Sequence, residues 1–186
     1  MARGVSRPSV PVRHHGRMAL HVRSMAHDDL DWAFALNQAN LPALGDETAA
    51  SFAHLLDVSA FALVATVDGV RAGFSISMTA GADYASVNYR WFCDRHTEFV
   101  YLDRVAVDAG MRTAGVGRAL YAETDRLGSA ATAPGLPFCL EVNLEPRNDA
   151  SLAFHDRMGF VEVGQQRTPS GKLVSMMERP LVSSPG

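Results

Sequence analysis

The sequence predicts a single α/β domain (α+β in its order of elements), with a mixed, mostly antiparallel sheet flanked by helices. Three observations predict it. Hydrophobic residues make up 47% and charged residues 20% of the 186, enough apolar material for one core of ordinary size. Seven short apolar or alternating runs are bounded by turn residues, as strands require. Helical patterns break them into the order strand, two helices, three strands, helix, strand, helix, two strands. The later helices therefore return the chain to neighbouring strands of one sheet.

Leu20-His21-Val22-Arg23 alternates and reads as a strand. Asp28 and Asp29 put negative charge at the start of a helix whose apolar face is Leu30, Ala33, Phe34 and Leu41. A second short helix is expected from about Asp46 to Leu56. Ala60 to Val67 is a buried strand, Asp68-Gly69 a hairpin turn and Val70 to Thr79 the returning strand. Residues 81–96 carry Tyr84, Tyr89, Trp91, Phe92 and His96 without a period, and read as a long loop or short helix. Phe99 to Val107 is a strand. Gly115 to Leu127 is a helix with Val116, Ala119, Leu120 and Leu127 on one side. Residues 129–137 form a linker rich in Ala, Gly and Pro, and Phe138 to Leu144 is a strand. Asn148 to Met158 is a helix closed by Gly159, and two strands follow near 161–164 and 173–178. The basic segment 1–17 reads as a disordered tail, which leaves Met1 and Met18 both open as the functional start. The domain is expected over 18–181, with a second tail at 182–186.

The bulk chemistry excludes several classes. A net charge of −3 gives no reason to expect nucleic acid or an anionic membrane as partner. No apolar run approaches the roughly 20 residues of a membrane span. Cys93 and Cys139 lie in apolar settings with no CxxC, which argues against a disulfide scaffold or zinc site and for a reducing, cytoplasmic location. His14-His15 lies in the tail and lacks ligand geometry, so no metal is expected.

The stretch with chemical content runs from Leu102 to Leu120. A buried strand ends, a short loop turns, and a helix begins at Gly115-Val116-Gly117. Glycine lets backbone approach a ligand closely. The first turn of a helix offers free N–H groups and partial positive charge to an anion. Arg112 and Arg118 add charge, so the segment is suited to a pyrophosphate. Neither GxxxxGK[ST] nor GxGxxG is present. Glycines here also suit close packing alone.

Arg112-Thr113-Ala114-Gly115-Val116-Gly117, after the strand residues Val105-Ala106-Val107, resembles the acetyl-CoA signature of the GNAT superfamily, R/Q-x-x-G-x-G/A. Thr113 departs from the glycine often found there. Leu140-Glu141-Val142-Asn143 is similar to that superfamily's fifth strand, and Asn148 to Phe160 to its fourth helix, so the likeness covers about residues 18–180. Tyr84 and 88–92 are also similar to a prokaryotic subgroup of predicted acyltransferases. The resemblance implies a GNAT-like fold and an acetyl-CoA-dependent N-acetyltransferase. Its cofactor would contact Val105, Ala106, Val107, Arg112, Thr113, Ala114, Gly115, Val116, Gly117, Arg118 and Asn148, and the acceptor would be a small-molecule or peptide amine.

The implied chemistry is direct attack of a neutral amine on a thioester. It needs a fixed N–H for the oxyanion, a base for an ammonium that titrates near 10.4 in free lysine, and a proton for the leaving thiolate. The resemblance places the N–H on the backbone of Val105 to Val107. Where the superfamily carries a tyrosine, four residues before the helix-ending glycine, this chain has His155, expected to donate or relay the proton. Tyr101 and Asp103 are candidate bases, expected on one strand face with Val105 and Val107; Glu98 and Glu141 are further candidates. Each of these also suits a structural role, as in pairing of Asp103 with a nearby Arg. Tyr89, Trp91 and Phe92 suit a wall of the acceptor pocket, a covered sheet edge or a homodimer contact equally. Two other classes stay open: a CoA-binding sensor without turnover, and a scaffold for a protein partner.

Overall fold

The computed structural model describes residues 18–131 and 135–182. The expected tails 1–17 and 183–186, with His14-His15, lie outside the described residues. Seven strands form one sheet in the order β1-β2-β3-β4-β5-β7-β6. They are β1 (Leu20–Ser24), β2 (Phe61–Val67), β3 (Val70–Thr79), β4 (Val100–Val107), β5 (Pro137–Glu145), β6 (Val161–Arg167) and β7 (Leu173–Pro180). All neighbouring pairs are antiparallel except β4 with β5. This is the α/β sheet the sequence predicted.

Helices α1 (Leu30–Gln38), α2 (Ala49–Val58) and α3 (Val87–Cys93) cover one face. There Phe52, Phe74, Ile76, Tyr89, Phe92 and Phe99 pack in one apolar cluster. Helices α4 (Val116–Ala131) and α5 (Asp149–Arg157) cover the other, over Val100, Leu102, Phe138 and Phe160 near the sheet centre and Leu63, Ala65 and Ala72 toward β1. α4 lies unusually close to the sheet. A Cβ on Gly73 would stand 2.7 Å from the Ala106 carbonyl and 2.8 Å from the Val116 side chain, a spacing only glycine permits.

Several boundaries moved. α1 ends before Leu41, which is outside the helix and 38% exposed. α4 runs through Ala131 and absorbs the start of the expected linker; its Gly128 sits tightly against the Leu181 and Val100 side chains, where a Cβ would stand 3.1 Å away. The aromatic stretch folds as α3, capped by Ser86, whose hydroxyl accepts from the Tyr89 N–H. Val182, expected in the tail, donates its N–H to Asp125.

β4 breaks the alternation expected of it. Ile76 pairs with Arg104 and Ser77 with Leu102, so Asp103 is an extra residue, a bulge. A bulge breaks strict alternation. Tyr101 and Ala106 therefore belong to the α1–α3 face, while Val105 and Val107 pack toward α4. Tyr101 and Asp103 do not share a face with Val105 and Val107.

α4 is bolted to β7 by a buried ion pair. Arg179 donates to both oxygens of Asp125, at 2.8 and 2.7 Å, and its guanidinium lies 5.0 Å over Phe138 and 4.7 Å over Phe160. Asp125→Ala strands a charge in the core, so a loss of about 3–5 kcal/mol is expected in urea unfolding. Asp125→Leu with Arg179→Met should recover most of it.

Candidate active site

The site forms where the sheet parts. β4 and β5 pair only at Val100 with Phe138 and Tyr101 with Cys139. Beyond them the strands separate, and one edge of β4 keeps its backbone groups free of a ladder partner among the described residues. Two cavities meet at this opening. The first, of about 660 Å³, runs from Val105 and Val107 past Arg112, Gly115 and Gly117 to Phe154 and Arg157. The second, of about 480 Å³, reaches Asn88, Asp103 and Glu141 from a mouth at Asn40, Thr168 and Lys172. Val105, Arg112, Tyr121, Ser151 and His155 line both.

The first cavity carries the cofactor-signature residues. Gly115 has φ 79°, a left-handed conformation that lets the chain turn into α4. Ala119 is the first residue to bond back into the helix, to the Gly115 carbonyl at 3.1 Å. The N–H groups before it are the unsatisfied set that a helix start offers an anion. Thr113, Gly117 and the exposed Arg112 and Arg118 line the cleft. Ala106, Ala114 and Val116 pack their side chains into the apolar clusters, so only their backbone is available. Asn148 caps α5, accepting from the Ser151 N–H at 3.1 Å, and lines the second cavity instead. Cleft volume, helix start and two arginines suit a nucleotide-bearing thioester, within the size range of about 300–1,000 Å³ for such sites.

His155 is buried at the junction. Its Nδ1 lies 2.8 Å from the Ser151 carbonyl. A carbonyl only accepts, so Nδ1 carries the proton and Nε2 accepts from the Tyr121 hydroxyl. Burial, helped by the Arg179 charge, pushes His155 down to about 4 against the Ser151 bond. The ring is neutral at pH 7. Burial raises the Tyr121 hydroxyl far above its ordinary range, which keeps it a donor.

The second cavity holds an acidic network. Glu141 accepts from Tyr101 Oη at 2.8 Å and from Asn88 Nδ2 at 2.8 Å. Burial and the neighbouring Asp103 charge raise its carboxyl to about 7, against those two bonds. Asp103 is tied up by Arg104 Nε at 2.6 Å and by the Tyr84 hydroxyl. Arg104 also donates to Glu47 at 2.9 Å and Asn37 at 3.1 Å, which ties the loop after α1 to the bulge.

The sequence-predicted residues divide accordingly. Tyr101 reaches the site through Glu141, and Asp103 lies there but is saturated. Glu98 is exposed and lines a separate depression with Phe61 and Thr79. Tyr89 and Phe92 are core rather than pocket wall; that segment supplies Asn88 and Tyr84 to the site. Tyr121 was missed, although it follows Gly117 by one helical turn and so shares its face. Among the described residues His96, Cys139 and Glu178 bring ligand atoms within 4.8 Å of one another, with His96 Nε2 2.8 Å from Glu178.

Residues 26–160 match the acetyltransferase (GNAT) family. No curated protein matches the chain. Many solved structures share the fold. Ard1 from Thermoplasma volcanium has a TM-score of 0.70 at 21% identity, over 89% of this chain and 99% of its own. The ribosomal-protein-S18-alanine N-acetyltransferase of Escherichia coli has 0.66 at 21%, over 90% and 97%. Arabidopsis thaliana Naa50, in complex with the bisubstrate analogue CoA-Ac-MVNAL, has 0.63 at 14%, over 86% and 97%.

Glu141 carries a stability signature. Its folded carboxyl titrates near 7, above the ordinary value for a free glutamate. Between the two the folded state binds the extra proton, so the Glu141 contribution to stability is fully present at low pH and is lost as pH rises through about 7, by at most about 1.4 kcal/mol per unit. Glu141→Gln should therefore match wild type near pH 4 and exceed it at pH 8 in urea unfolding. Parallel pH profiles would contradict this.

Proposed function

The chain belongs to the acetyltransferase (GNAT) family, and from that premise we propose that it transfers an acetyl group from acetyl-CoA directly to a primary amine while both are bound. The observation that carries this reading is the meeting of two cavities at the free edge of β4, one with an anion-binding helix start and one with a half-buried carboxylate poised near neutrality.

Acetyl-CoA supplies the thioester carbonyl. Arg112, Arg118 and the first turn of α4 hold its pyrophosphate, and the N–H groups of Val105 and Val107, which point away from β3, face the oxygen on which charge develops. The neutral amine forms the C–N bond as the C–S bond breaks. Glu141 takes the amine proton, since a carboxylate near 7 is half ionised at neutral pH. Tyr101 and Asn88 hold it in place. His155, fixed as one tautomer, accepts the single proton of the Tyr121 hydroxyl and so holds that ring at the junction; the leaving thiolate takes its proton from water. The non-catalytic sensor reading leans on the missing helix tyrosine; the carboxylate of Glu141 in the second cavity favours turnover instead. Peptide acceptors gain support from the Arabidopsis neighbour and its peptide-bearing analogue.

Calorimetry with acetyl-CoA tests the first half. Wild type is expected to bind and Gly117→Trp, which fills the cleft, is not. An inert wild type overturns the proposal. With an acceptor in hand, kcat/KM should rise with pH through about 7. Glu141→Gln should lose that limb and about 10²–10⁴ in rate.

A further inference from the structure

The second cavity separates its charges, and the separation selects among amines; this inference rests on the acetyltransferase reading of that cavity. Asp103 and Glu141 lie deep in it. Arg104, Arg112 and Lys172 also line it. Arg104 is fully committed to Asp103, Glu47 and Asn37. Arg112 lines both cavities and precedes the anion-binding turn.

Lys172 is different. It is the only lysine in the sequence, half-buried on the hairpin between β6 and β7. Its ammonium has no acidic partner among the described residues and donates to the Pro42 carbonyl at 3.3 Å. Beside it the Thr168 and Ser170 hydroxyls lie 3.0 Å apart, and all three residues line the cavity. An ammonium at the cavity edge whose one protein partner is a long contact to a neutral carbonyl is free to take a ligand carboxylate as a charge-assisted partner.

We propose that the acceptor is an amine that also carries an anionic group, a carboxylate in the simplest case: the amine goes to Glu141, and the anion goes to Lys172 with the Thr168 and Ser170 hydroxyls. The anion displaces the Pro42 carbonyl as the partner of Lys172. A second cation on the acceptor meets Lys172 as a like charge, which disfavours polyamines.

Three matched probe series test this: ω-amino acids of three to six carbons, alkylamines and α,ω-diamines of equal length. Transfer from acetyl-CoA is expected to favour the best ω-amino acid over its alkylamine by about tenfold in kcat/KM, carried by KM, because a charge-assisted bond is worth that much. The diamine should be poorest. Lys172→Met should level the series, and Lys172→Glu should invert amino acid and diamine. Alkylamines or diamines that match the amino acids at every length, or a ranking unchanged in Lys172→Glu, overturn the proposal. Calorimetric binding of the ω-amino acids without acetyl-CoA reads the anion contact separately. Binding lost in Lys172→Glu supports it even if no transfer occurs, and absent binding with absent transfer overturns it. Failure of wild type to bind acetyl-CoA overturns only the acetyltransferase reading.

Discussion

Past Tyr101 the ladder between β4 and β5 stops, and every functional feature follows from that interruption. A parallel pair that stayed zipped would bury its backbone groups in hydrogen bonds and leave no cavity. Beside this opening Tyr121 from α4 and His155 from α5 meet, packed on Phe138, Phe154 and Phe160. The same rings hold the fold together and bound both cavities, so the core and the site are not separable. The Asp125–Arg179 pair fixes α4, which carries Tyr121, against β7.

The electrostatics follow from burial. Two carboxylates, Asp103 and Glu141, share one cavity. Arg104 pairs directly with the first and reaches the second only as a more distant charge. Burial and the like charge of Asp103 then bring Glu141 to about 7. At the junction the opposite happens to His155, which loses its charge to burial. One pocket thus raises an acid and lowers a base, the pattern expected where proton transfer is done.

The elements themselves were legible because their signals are local. Alternation at Leu20 to Arg23, the Asp68-Gly69 turn and the glycines at the start of α4 each act within a few residues. What stayed hidden depends on partners distant in sequence. The bulge at Asp103 is defined only against Ile76 and Ser77, and it invalidates the alternation that placed Tyr101 and Asp103 beside Val105. Glu141 stands between apolar Leu140 and Val142 like any buried strand acid, and its environment comes from Asn88, 53 residues away. His155 was singled out, but its bond to Tyr121 spans 34 residues. Lys172 drew no notice because a lone lysine acquires meaning only when the fold puts it at a pocket mouth.

The interruption in the sheet also has a mechanical side. β1 to β4 form one continuous ladder and β5 to β7 another, joined by two residue pairs. The sheet thus has a seam in its ladder, which α4 spans by packing on β1 to β4 while Asp125 pairs with Arg179 of β7. A ligand whose polar chain lies along β4 bridges that seam with rungs the protein omits. Under the proposed reading occupancy would act as mortar, and protection of the Val105 and Val107 amides from exchange would gauge how much of the protein is loaded.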